Sequence, residues 1–299
     1  MGNKIIYILL LTWVKIHAIL PLPILYLLSD ILYFFIYYIA RYRRKVVRNN
    51  IKNSFPDKSD KENKRLERRF YRHFADYIVE TIKLASISQE ELLRRAYVQN
   101  PELILDLLDK GHTCIILSMG HYGNWEWLSG VSSCLNGRAN IHQIYRPLTN
   151  KAFDRLFIYI RTRFNSFGIK KNDTVRDMIT LKRNKTHALV AFIADQTPNK
   201  ANLHYWTTFL NQESAILTGP EKIAIKMDIP VVFIDIIKVK RGFYSINIIP
   251  ITEKPKETPE YYITNKYVEL MERCIMRDPA YWLWSHKRWK HKRELKIKN

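Results

Sequence analysis

A histidine and a glutamate stand five positions apart in Ser118-Met119-Gly120-His121-Tyr122-Gly123-Asn124-Trp125-Glu126-Trp127. The pair suits general-base chemistry: an imidazole accepts a proton, and a carboxylate fixes its tautomer and stabilises the imidazolium that forms. Inside one helix the two would lie about 500° apart, on different faces, at roughly 100° per residue. They meet only if His121 sits in a turn and Glu126 in the first turn of the helix after it. Asn124 is a good N-cap, which makes Trp125 the first helical residue and puts Glu126 where the helix dipole favours a carboxylate. Gly120 and Gly123 allow a tight turn and the close approach of a substrate. The spacing therefore predicts His121 and Glu126 within hydrogen-bonding reach. The plainer reading is a histidine satisfied by backbone groups in a strand-to-helix turn.

The surrounding elements must supply that turn. Residues 113–117 form an apolar run that reads as a strand, and 141–145, 188–194 and 231–237 read likewise. Residues 244–249 alternate as a half-exposed edge strand does. Between these runs, 151–164, 174–183 and 215–227 read as helices. Strands alternating with helices predict an α/β fold, a layered αβα domain around a largely parallel mixed sheet. Ligands in such folds bind at strand ends. Neither a dinucleotide fingerprint nor a phosphate loop is present, so no nucleotide cofactor is expected. Cys114, Cys134 and Cys274 are odd in number and scattered, which argues against a disulfide framework or a zinc site, and Cys114 reads as a small buried hydrophobe.

Two apolar helices are expected over 1–40, split at Pro21-Leu22-Pro23, as an N-terminal membrane anchor before a domain over 41–299. The cluster Arg41-Tyr42-Arg43-Arg44-Lys45 follows, and by the positive-inside rule it keeps the domain in the cytoplasm. One span, two spans and an interfacial hairpin all fit. Residues 60–86 read as an amphipathic helix, with Leu66, Phe70, Phe74, Ile78, Ile82 and Ala85 on one stripe and Arg65, Arg68, Arg69 and Arg72 on the other face. With 49 Lys+Arg against 28 Asp+Glu, the formal net charge is +21, which calls for an anionic partner. A basic face can meet anionic lipid or an acidic protein. No nucleic-acid motif accompanies the charge, so no nucleic-acid partner is expected.

The block from His121 to Glu126 resembles the catalytic motif of the bacterial lipid A biosynthesis lauroyl/myristoyl (late) acyltransferases, within the glycerolipid/lysophospholipid acyltransferase superfamily. Three further segments are similar in order: Tyr145-Arg146-Pro147 followed by Asn150, Ala194-Asp195-Gln196, and Trp284-Ser285-His286-Lys287-Arg288. One stretch departs, with Phe209-Leu210-Asn211 where a Phe-Phe-Gly-like ending belongs. The resemblance implies that Arg146 binds substrate and that Arg161 or Arg163 supplies the next basic position. Asp195 and Gln196, at a strand end, are suited to sugar hydroxyls. The C-terminal aromatics and cations read as a headgroup boundary.

The resemblance further implies transfer of a fatty acyl chain from acyl carrier protein to a hydroxyl of a lipid A precursor, an anionic lipid acceptor. His121 would act as base and Glu126 as its partner, without cofactor or metal, at the cytoplasmic face of the bacterial inner membrane. A lysophospholipid or amino-acid lipid is an alternative acceptor. A non-catalytic basic adaptor for membrane or nucleic acid is the alternative of another class.

Overall fold

The computed structural model describes residues 2–293; residues 294–299 of the domain expected over 41–299 lie outside the described residues. Apolar helices α1 (Gly2–Ile19) and α2 (Leu22–Phe34) come first, and a π turn, Phe35–Ile39, extends α2. Next are α3 (Arg44–Ser54), α4 (Asp60–Lys83) and α5 (Gln89–Arg95). The chain then runs through β1 (Ala96–Val98), α6 (Glu102–Asp109), β2 (Cys114–Met119), a 3₁₀ helix (Trp125–Leu135), β3 (Asn140–Tyr145) and α7 (Lys151–Arg161). It continues with β4 (Ser166–Lys170), α8 (Thr174–Arg183), β5 (Ala188–Ile193), a hairpin of β6 (Tyr205–Phe209) and β7 (Gln212–Ile216), and α9 (Gly219–Met227). Strands β8 (Val231–Lys240) and β9 (Phe243–Thr252) and helix α10 (Tyr262–Arg277) complete it.

Seven strands form one sheet in the order β1-β9-β8-β2-β5-β3-β4, parallel throughout except between β8 and β9. The layered, largely parallel α/β architecture expected from the alternation is therefore present. Every residue of β2 is buried, with Cys114 and Ile116 in the core on one face and Ile115, Leu117 and Met119 in the core on the other. A strand covered on both faces reads as an unbroken apolar run. Burial pushes the Cys114 thiol up, in keeping with a small buried hydrophobe.

Two expectations are corrected. Residues 244–249 do not form an edge strand: β9 lies inside the sheet because β1, too short to stand out in the sequence, covers its outer side. Ser245, one of the two polar positions of that run, is buried and accepts from Gln99 Nε2 at 2.6 Å. Helix 215–227 starts only at Gly219, since Ala215 and Ile216 finish β7 and Pro220 opens the helix. The departing stretch at Leu210-Asn211 is the tight turn of the β6–β7 hairpin, with φ of 51° and 59°. Such a turn needs two left-handed residues. Leu210 is held there by its burial and by its amide donating to Glu272 Oε1 at 2.7 Å.

Helix α4 begins at a capping box, Ser59 with Glu62. It lies against α2 and the turn at Gly123, so its buried face is wider than the apolar stripe and takes in Glu67, His73, Asp76 and Glu80. Helix α2 is tied to it by Ser29 Oγ donating to Asp76 Oδ1 at 2.8 Å. Lys83 Nζ caps α1 by donating to Ala18 O at 2.8 Å and Leu20 O at 3.0 Å. The outer face of α2 leaves Ile24, Leu27, Ile31 and Phe34 exposed. Among the described residues, the stretch Leu22–Ile39 is long and apolar enough to cross a membrane, and 28% of it is buried in the protein.

Candidate active site

Parallel neighbours β2 and β5 are in register with Met119 opposite Ile193, so the residues two beyond each strand, His121 and Asp195, emerge side by side. His121 Nδ1 lies 2.7 Å from Asp195 Oδ1, and the His121 amide donates to Asp195 Oδ2 at 3.0 Å. Trp282 Nε1 donates to the same Oδ2 at 2.7 Å. Burial works to raise the Asp195 carboxyl, but the charge of His121 and these hydrogen bonds outweigh it and hold the group below the usual carboxylate range. An ionised carboxylate only accepts, so the proton of the ring sits on Nδ1 and Nε2 is left as the base. Gln196 Nε2 is 3.4 Å from that Nε2.

The hydrogen bond expected between His121 and Glu126 is not formed among the described residues. Glu126 turns the other way: Arg161 Nε donates to Oε2 at 2.7 Å, Arg161 Nη2 donates to Oε1 at 2.5 Å, and Tyr77 Oη donates to Oε1 at 3.2 Å. Although burial opposes ionisation, the Arg161 guanidinium holds Glu126 below the usual range, and the nearby His121 adds to this. Asp195 was read as a ligand for sugar hydroxyls; its oxygens are instead taken up beneath His121. Strand adjacency, which spacing along the chain does not reveal, makes the difference.

The turn between β2 and the 3₁₀ helix depends on both glycines. A Cβ at Gly120 would collide with the Met271 thioether, and one at Gly123, where φ is +62°, would come within 2.8 Å of Ile236 Cγ2. Asn124 precedes the helix, but its side chain makes no capping bond; Nδ2 donates to Glu80 Oε2 at 2.6 Å. Helix α4 holds the turn at three more points. His73 Nε2 lies 3.1 Å from Gly123 O, Trp127 Nε1 donates to Glu80 O at 3.1 Å, and Tyr77 reaches Glu126. Burial, with Lys238 nearby, keeps His73 neutral, so its Nε2 is the donor to the carbonyl. These α4 residues were missed in the sequence. The one available signal was polar residues recurring on the helix at 73, 76, 77 and 80, a spacing that reads as solvent-facing until the helix is seen to be covered.

The two candidate arginines part company. Arg161 ends α7 and forks onto Glu126, whereas the Arg163 guanidinium donates to the carbonyls of Leu84 and Ile87 beyond the end of α4. Arg163 is therefore not brought to the site. Arg163→Ala is expected to lower stability by about 1 kcal/mol, the worth of an ordinary hydrogen-bonded tie, with kcat and KM unchanged; thermal melts run beside kinetics check this. Arg146 stands exposed at the end of β3, and Asn150 caps α7 through its Oδ1, which accepts from the Ala152 amide at 2.9 Å. Arg146 and Arg161 share the lining of a cavity of about 130 Å³ with Tyr145, Leu148, Phe157 and Phe167.

The C-terminal segment is not a headgroup boundary. Trp282 and Trp284 are buried, and Arg288, 2% exposed, donates to Ala215 O at 2.7 Å. Leu283 N donates to His121 O at 3.1 Å and Gly123 N to Tyr281 O at 3.0 Å, so the segment clamps the turn between β2 and the 3₁₀ helix. Burial pushes His286 down to about 4. It is neutral at pH 7, and its Nε2 accepts from the Thr197 amide at 3.3 Å. Among the described residues no group of three or more His, Cys, Asp or Glu is placed to hold a metal ion. What the arrangement offers is one oriented base, one buried carboxylate behind it, and two arginines across a carboxylate from it.

Set against curated proteins, the chain finds no match. The family described as bacterial lipid A biosynthesis acyltransferase matches residues 2–291, nearly the whole chain. This protein belongs to the bacterial lipid A biosynthesis acyltransferase family.

Proposed function

We propose that this acyltransferase moves a fatty acyl chain from acyl carrier protein to a hydroxyl of a lipid A precursor, with His121 as general base and Asp195 as the residue that positions it. The observation that carries the reading is the 2.7 Å contact between His121 Nδ1 and a buried, ionised Asp195. In this mechanism His121 Nε2 takes the proton of the acceptor hydroxyl as its oxygen attacks the thioester carbonyl. The carbon–sulfur bond breaks, and the imidazolium returns the proton to the departing thiolate. Asp195 keeps the ring in the required tautomer and stabilises its cation. Glu126 holds Arg161 beside Arg146, and the two guanidiniums suit the phosphates of an anionic acceptor.

A row of exposed arginines on α4, at 65, 68, 69 and 72, supports an acidic donor protein. The exposed apolar residues of α1 and α2, followed by the basic cluster from Arg41, support attachment to the cytoplasmic face of the inner membrane. The test uses dodecanoyl acyl carrier protein and a lipid A precursor with full-length protein in detergent. His121→Ala is expected to reduce transfer by at least about 10²-fold; full activity in that variant would remove His121 from the mechanism. Mass spectrometry of lipids from a deletion strain tests the acceptor, since an unchanged lipid A would exclude it.

A further inference from the structure

A row of buried polar side chains runs from helix α2 to the turn at Gly123, and a lysine stands in the middle of it. His73 and Asp76 lie three residues apart on α4 and so share a face of the helix. Lys238, on β8 with a side chain only 7% exposed, reaches both: Nζ is 3.2 Å from His73 Nδ1 and 3.4 Å from Asp76 Oδ2. On its other side Asp76 Oδ1 accepts from Ser29 Oγ of α2 at 2.8 Å and from Arg241 Nη2 at 2.7 Å, and Arg241 also pairs with Asp30 of α2 at 2.7 Å. The Tyr281 ring stands edge-on to the His73 ring with centroids 4.8 Å apart, and Lys238 Nζ lies 5.2 Å from the centre of the same Tyr281 ring. Asp76 already has Arg241 as its cation, so charge pairing alone does not account for burying a second cation beside it.

We propose that Lys238 is a positioning residue for acyl transfer: by donating to His73 Nδ1 it fixes the His73 tautomer, and that tautomer holds the Gly123 carbonyl two residues beyond the base. The assignment rests on the reading of His121 as that base. The His73 ring lies between an ammonium, which only donates, and the Gly123 carbonyl oxygen, which only accepts and stands 3.1 Å from Nε2. These two neighbours admit one neutral arrangement, with the proton on Nε2 and a lone pair on Nδ1. Nδ1 and the Asp76 carboxylate contact the same ammonium, so losing it replaces a donor on the Nδ1 side by an acceptor. The ring proton then moves to Nδ1, as in His121 above Asp195, and Nε2 turns a lone pair on the Gly123 oxygen. Gly123 is sensitive to such a change. A glycine at φ +62° re-orients its peptide groups more readily than other residues do. It also lies between His121 and Trp125, whose ring stands edge-on to the His121 imidazole with centroids 5.1 Å apart. Misplacing a catalytic group by about 1 Å can cost about 10²-fold in rate.

The experiment is a double-mutant cycle on transfer from dodecanoyl acyl carrier protein to a lipid A precursor, with full-length protein in detergent at pH 8, where a buried imidazole is neutral. Glutamine carries its own N–H donors and has no tautomer, so His73→Gln can hold the Gly123 oxygen whatever stands at position 238. Lys238→Met keeps the length of the side chain and leaves Arg241 on Asp76. It is expected to lower kcat about tenfold with KM unchanged when position 73 is histidine, the scale of one lost hydrogen bond. In the His73→Gln background the same substitution should cost less than about twofold. An equal loss in both backgrounds gives Lys238 a structural role only and overturns the proposal, as does a wild-type kcat in Lys238→Met. Nitrogen-15 spectra of ring-labelled histidines in the wild type, with His73 assigned by its absence from His73→Gln, should show the His73 proton on Nε2. A proton on Nδ1 overturns the proposal, so the tautomer decides the matter even if Lys238→Met fails to fold. A wild-type protein that transfers nothing overturns both readings, whereas a failed cycle leaves acyl transfer standing.

Discussion

Asp195→Asn is expected to lower kcat by roughly 10³- to 10⁴-fold with little change in KM, the scale of effect when an oriented catalytic histidine loses its carboxylate. The cause is specific to this site. Two N–H donors, the His121 amide and Trp282 Nε1, converge on Asp195 Oδ2. They would pin an asparagine oxygen in that place, which turns its NH₂ group towards His121 Nδ1. The imidazole must then accept at Nδ1 and carry its proton on Nε2, where the base is needed. Steady-state kinetics measure the outcome, and a wild-type kcat would show that Asp195 does not set the tautomer. Stability should respond to pH as well. A carboxyl held below its ordinary value contributes stability that is fully present above the unfolded value of about 3.9 and is lost as pH falls through the folded value. Wild-type melting temperature should therefore drop as pH falls below about 4. The asparagine variant should show a shallower drop, since Glu126, also held low, retains its share.

Glu126→Ala should behave differently, with the larger loss in folding. Glu126 has a side chain 2% exposed, and Arg161 forks onto it from a side chain 29% exposed. Removing the carboxylate strands the guanidinium and the Tyr77 hydroxyl, at a cost of about 3–5 kcal/mol, as for other broken buried pairs. Arg161→Met alone leaves the reverse problem, a buried carboxylate without its cation. The double variant Glu126→Ala/Arg161→Met removes both charges and should recover part of that loss, with a coupling energy of about 1–3 kcal/mol. Catalysis need not return with stability, because the double variant has no guanidinium beside Arg146. Denaturant titration of the four proteins gives the coupling. Additive single effects would mean that the pair is not an energetic unit.

Much of the architecture was legible in the sequence because its signals are local. Residues 174–183 form the expected helix, and β2, β3, β5 and β8 fall on apolar runs. A strand as short as β1 carries too few residues for a period to show, and the polar row on α4 looks like a wetted face until neighbouring elements cover it. Leu210 in a left-handed turn contradicts its own preference and is explained only by burial and by Glu272.

By itself, the sequence determined the chemistry on offer: a histidine at the end of a buried strand, glycines that let the chain turn there, and motifs in the family's order. Tertiary structure decided which groups work together. His121 and Asp195 are 74 residues apart and meet because β2 and β5 are parallel neighbours in register. Glu126, only five residues from His121, is drawn away because the 3₁₀ helix turns its carboxylate towards Arg161. Spacing along a chain constrains partners only within one element. Between elements, the order of strands in the sheet sets the distance, and that order is fixed by packing of the whole core.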